Sequence, residues 1–139
     1  MLADLTAAQV ATLSAVVDTI VPADEHPGGV EAGVLDYLEG QFGRDLAGLR
    51  AYYGAGLDAL DAEAGQAYGV RFGLLEPDRR EGLLRAVEAG ETRTPWPFDA
   101  PAFVSTVVEH VMEGFYGDPG NGGNRDAVSW RMIGFEVSD

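Results

Sequence analysis

The sequence predicts an all-α fold: a single compact domain of about five helices that ends in an irregular Gly/Asn-rich segment. Three observations carry this expectation. Apolar residues recur at helical spacing in five separate stretches, Pro and Gly fall where those stretches should begin or stop, and no alternating strand–helix series is present. A length of 139 residues suits one domain spanning 1–139, large enough to bury a core without staples. A hydrophobic content of 46% is too high for a disordered chain, even at a net charge of −14.

The first helix opens at Thr6-Ala-Ala-Gln9, which fits a capping box in which hydroxyl and amide each satisfy the other residue's backbone N–H. Val10, Leu13, Val17 and Ile20 then repeat on one face until Pro22 stops the helix. Ala23 to Gly29 is a turn-rich loop. A second helix is expected from about Val30 to Phe42, with Val34, Leu35, Leu38 and Phe42 inward, and a third from about Leu46 to Ala62, with Leu46, Leu49, Tyr53, Leu57 and Leu60 inward. Gly65 to Gly73 is expected as an irregular connector. Tyr68, Val70 and Phe72 alternate there as a strand would, but no partner strand is evident. Glu76-Pro77-Asp78 opens a fourth helix, with Leu83, Leu84 and Val87 inward and Gly90 as its C-terminal cap. Pro95-Trp96-Pro97 makes the following linker rigid and extended. Asp99 and Pro101 start a fifth helix whose set of Phe103, Val104, Val107, Val108, Val111, Met112 and Phe115 is wide enough to imply burial on more than one side.

Composition excludes several classes of function. The chain has 9 basic residues, all Arg, against 23 acidic ones, and a phosphate backbone or an anionic membrane surface calls for the opposite balance. No apolar run approaches the roughly 18 residues of a membrane span, so neither nucleic-acid binding nor direct membrane insertion is expected. The absence of Cys excludes disulfides, thiolate zinc sites, iron–sulfur clusters and covalently attached c-type haem. The N-terminus carries neither a twin-Arg pair nor a basic region leading into an apolar core.

Chemistry-bearing residues concentrate after residue 110. His110 and Glu113 stand one helical turn apart, the spacing of the Glu-x-x-His pairs in di-iron bundles, but a di-iron site needs a second pair and the chain has none. Asp118, Asn121, Asn124 and Asp126 offer oxygen ligands in a Gly-rich loop, without the spacing of a calcium-binding loop. Gly117 to Gly123 lacks the preceding strand and the Lys of a phosphate cradle. No Ser is tied by motif to a His. Catalytic, cofactor-binding and metal residues are therefore not expected. His110, Glu113, Gly114, Asp118, Pro119, Gly122 and Gly123 read as a structural motif that holds turns in place. Loop aromatics with neighbouring Arg and Asn make candidate partner contacts: Trp96, Phe98, Tyr116, Asn121, Asn124, Arg125, Trp130 and Arg131.

The stretch His110-Val-Met-Glu-Gly-Phe-Tyr-Gly-Asp-Pro-Gly-Asn-Gly-Gly-Asn124, followed by Trp130 and Gly134, resembles the C-terminal signature of the gluconate 2-dehydrogenase subunit 3 family. Leu5-Thr6 with Gln9, and Ile20-Val21-Pro22, extend the resemblance toward the N-terminus. Asn121 stands where the family usually has an aromatic, and Ser129 where it has the Gly before Trp. The resemblance implies a non-catalytic small subunit with no cofactor of its own. Its expected partner is a large FAD-dependent flavoprotein of the glucose-methanol-choline type that oxidises sugars or polyols, with a cytochrome c subunit as electron acceptor. It also implies help in maturing or exporting that partner, and a periplasmic location reached through the partner or a removed twin-Arg signal. A chain complete as it stands would stay in the cytoplasm. The alternative is a stand-alone metal-binding or enzymatic domain using His110, Glu113, Asp118 and Asp126. In a third reading the Gly-rich loop or Trp96 lines the partner's substrate entrance.

Overall fold

The computed structural model describes residues 5–22, 33–42 and 49–116. They form five α-helices: α1 (Ala7–Ile20), α2 (Val34–Phe42), α3 (Arg50–Tyr68), α4 (Pro77–Glu88) and α5 (Ala100–Tyr116). A short 3₁₀ turn, Phe72–Leu74, lies between α3 and α4. No strand occurs among the described residues, so the all-α expectation holds.

Helix α1 touches every other helix and the 3₁₀ turn, which makes it the centre of the packing. Its capping box forms as expected: Gln9 N–H donates to Thr6 Oγ1 at 3.0 Å, and Thr6 N–H donates to Gln9 Oε1 at 2.9 Å. The Gln9 amide group also reaches α3, where Nε2 donates to the Gly54 carbonyl at 3.3 Å and to Asp58 Oδ2 at 3.1 Å. Leu13, Val16 and Val17 are buried, each contributing about 1.5–3 kcal/mol if it leaves water completely.

Helix α2 starts at Val34, later than expected, because Gly33 sits at φ 96°, outside the helical region. Val34 and Leu38 point into the core with Tyr37, while Leu35 is half-buried. Helix α3 departs most from expectation. It begins at Arg50, not near Leu46, and it runs past Ala62 through Gly65 to Tyr68. Glycine weakens a helix by only about 1 kcal/mol, and the buried contacts of Tyr53, Leu57, Leu60 and Ala64 outweigh that. The helix ends one turn beyond, where Gly69 takes the left-handed conformation at φ 75° that residues with a Cβ avoid.

The connector is therefore shorter than expected and better ordered. Phe72 plugs into the core, and its N–H donates to Asp61 Oδ1 at 2.8 Å, while Arg71 Nε pairs with Asp61 Oδ2 at 3.2 Å. Tyr68, Val70 and Leu74 are left facing solvent. Helix α4 matches its expected start, buried set and glycine cap, with Gly90 at φ 86°. Helix α5 opens with Phe103 N–H donating to the Asp99 carbonyl at 3.1 Å. It packs against α4 and against α2, which accounts for its wide apolar stripe. Phe103, Val104, Val107, Val111 and Phe115 are buried, and Val108 and Met112 are half-buried.

Candidate functional site

The first residues of the C-terminal motif project from the last two turns of α5 toward two different helices. His110, 8% exposed, meets Tyr53 of α3: Nδ1 and the phenol oxygen are 2.7 Å apart, with the rings stacked. Burial, helped by the charge of Glu113, raises the Tyr53 phenol far above its ordinary range. The phenol therefore stays protonated and supplies no phenolate nucleophile. Glu113 turns instead to α2, where the Tyr37 hydroxyl donates to Oε1 at 3.5 Å. Gly114 lies flat against the Tyr37 ring, and a Cβ there would come within 2.7 Å of Tyr37 Cδ2. His110 and Glu113 thus diverge. Among the described residues, no three of His, Asp and Glu gather as metal ligands would.

A second polar centre lies on α3, and the sequence reading did not pick it out. Glu63 is fully buried. Its carboxylate accepts from Arg93 N–H at 2.9 and 3.1 Å, Thr94 N–H at 3.0 Å, the Thr94 hydroxyl at 2.7 Å and the Trp96 indole N–H at 3.0 Å. Burial pushes the carboxyl up, but the donors of Thr94, Arg93 and Trp96 outweigh it and hold Glu63 below its ordinary range. One carboxylate therefore ties down Arg93, Thr94 and Trp96 in the loop between α4 and α5. The loop aromatics continue the order inward. Trp96 and Phe98 pack on Phe103, with Tyr52 on Phe98 at 4.4 Å between ring centroids and Tyr53 on Phe103 at 6.0 Å. A continuous chain of contacts links Glu63 through Trp96, Phe103 and Tyr53 to His110.

Of the expected partner contacts, Trp96 and Phe98 are half-buried and packed against the core. Tyr116 ends α5, but its side chain lies outside the described residues, as do Asp118, Pro119, Asn121, Gly122, Gly123, Asn124, Arg125, Asp126, Trp130 and Arg131. A signal for Glu63 did exist. It stands three residues after Leu60 and one before Ala64, on the inward face of α3, but a helix thought to stop at Ala62 leaves it in a loop.

The arrangement holds α5 against α3 and α2 and ties down the loop between α4 and α5. A family model described as gluconate 2-dehydrogenase subunit 3 matches residues 7–136. No curated protein and no solved structure matches the chain.

Proposed function

Because the chain belongs to the gluconate 2-dehydrogenase subunit 3 family, we propose that it is a non-catalytic small subunit that binds and stabilises a large FAD-dependent sugar or polyol oxidoreductase. The observation that carries this is the family match across residues 7–136. The geometry supports it: the polar groups gathered on α3 and α5 hold helices and a loop in place, as a scaffold for a partner requires. Help with folding, FAD loading or export of the large subunit belongs to the same proposal. Trp96 and Phe98 keep part of their surface in solvent on the Glu63-held loop, which supports their proposed part in partner contact.

The test is co-expression with a candidate large FAD-dependent subunit from the same source. The two chains should co-purify, and the flavoprotein made alone should lose solubility or bound FAD. Failure to associate, with flavoprotein yield and FAD content unchanged, would overturn the proposal. The metal-dependent alternative is checked on the same sample: stoichiometric metal, lost in His110→Ala, would favour it. The Tyr53 contact to His110 Nδ1 and the divergence of Glu113 speak for the scaffold.

A further inference from the structure

The contacts that run from Glu63 to His110 join two oxidisable rings, and each ring stands beside a group suited to its oxidation. Trp96 is half-buried, and its indole N–H donates to the buried Glu63 carboxylate at 3.0 Å. A negative charge in so dry a setting stabilises the positive charge an indole gains when it loses an electron. Tyr53 has no solvent exposure, so its phenol cannot hand a proton to water as it is oxidised. His110 Nδ1 lies 2.7 Å from the phenol oxygen and accepts from it when the imidazole carries its own proton on Nε2. Phe103 stands between the two rings, with centroids 5.9 Å from Trp96 and 6.0 Å from Tyr53.

Going beyond the subunit reading, we infer that Trp96, Phe103, Tyr53 and His110 form a relay that carries an oxidising equivalent from the surface to a proton-coupled tyrosine. The substrate class is an oxygen-centred radical, a peroxyl for example. The radical takes one electron from the Trp96 indole, and the anion it becomes picks up a proton from water. Trp96 then takes one electron from Tyr53 through the Phe103 ring. As that electron leaves, the phenol O–H bond breaks and the proton forms an N–H bond at His110 Nδ1. The products are the reduced oxidant, a neutral Tyr53 phenoxyl radical and a His110 imidazolium. An enediol reductant such as ascorbate returns the electron, and the proton goes back to the phenol oxygen. Burial that keeps the phenol from ionising alone leaves this coupled route open.

The test is pulse radiolysis of the full chain with azidyl radical, which oxidises indoles before phenols. It needs no partner, so its outcome is independent of the subunit reading. Trp130→Phe is the background, because it leaves Trp96 as the only Trp. The indolyl absorption should decay at a rate independent of protein concentration as phenoxyl absorption appears. Tyr53→Phe should remove most of that phenoxyl, and Tyr52→Phe should not. Tyr52 lies as near to Phe103, at 5.3 Å, and so separates distance from the effect of the base. His110→Gln, which replaces the base with a neutral amide, should slow the transfer about tenfold or more. Heavy water should slow it in the background chain, a readout that needs no further variant and stands even where Tyr53→Phe fails to fold. Indolyl decay without phenoxyl, phenoxyl undiminished in folded Tyr53→Phe, or a rate unmoved by both His110→Gln and heavy water overturns the relay.

Discussion

Glu63 and Leu74 are close in sequence and break the ordinary rule of burial in opposite directions. Glu63 is a carboxylate with no solvent exposure, and Leu74 is an apolar side chain 73% exposed. Each is the kind of exception that carries information. The molecule itself accounts for Glu63, whose oxygens collect two backbone N–H groups, a hydroxyl and an indole N–H. Nothing within the described residues accounts for Leu74. The inverted residue that is satisfied internally serves the fold, and the other leaves apolar surface that no described residue covers.

The sharpest way to break this comparison is to remove the satisfied group. Glu63→Ala strands buried donors that each cost about 1–3 kcal/mol, so thermal denaturation should show a loss of about 3 kcal/mol or more. The pH dependence follows from the same group. A carboxyl held below its ordinary 4.5 contributes stability that is present above that value and lost as pH falls through the folded pKa. The wild type should lose stability more steeply than Glu63→Gln below about pH 4.5, and identical acid profiles would contradict the clamp. Next in size is Gly114→Ala, whose new methyl group must displace the Tyr37 ring, at about 1–3 kcal/mol. Tyr53→Phe should cost about 1–2 kcal/mol by stranding His110 Nδ1, less than Glu63→Ala because one contact is lost where Glu63→Ala strands four donors. Asp61→Ala, which frees the Phe72 N–H, should cost about 1 kcal/mol. Smallest is Leu74→Ser, within about 0.5 kcal/mol of wild type. A large loss there would show that Leu74 belongs to the core after all.

Much of the fold was legible in the sequence because helical period, capping box, Pro and Gly act locally. Thr6 and Gln9 form the box the sequence predicts, and Leu83, Leu84 and Val87 face inward as the spacing requires. The boundaries that failed are those decided by distant contacts. Gly65 reads as a breaker, yet α3 passes through it because Glu63 and Ala64 are anchored elsewhere in the core. Glu63 itself was hidden by that early stop, since its partners lie some thirty residues further on. His110, Glu113 and Gly114 could be named as a motif from sequence, but not matched to Tyr53 and Tyr37, because nothing local pairs α5 with α3 and α2.

The N-terminal cap shows how a distant helix narrows a local choice. A capping box accepts Glu or Gln at its third helical position with little to separate them. Here the Gln9 amide stands 3.1 Å from Asp58 Oδ2 and donates to it. Glu at that position would still close the box, but would set one carboxylate against another. Two interchangeable letters of the helix code are thereby reduced to one, and the selection is made by a residue forty-nine positions away.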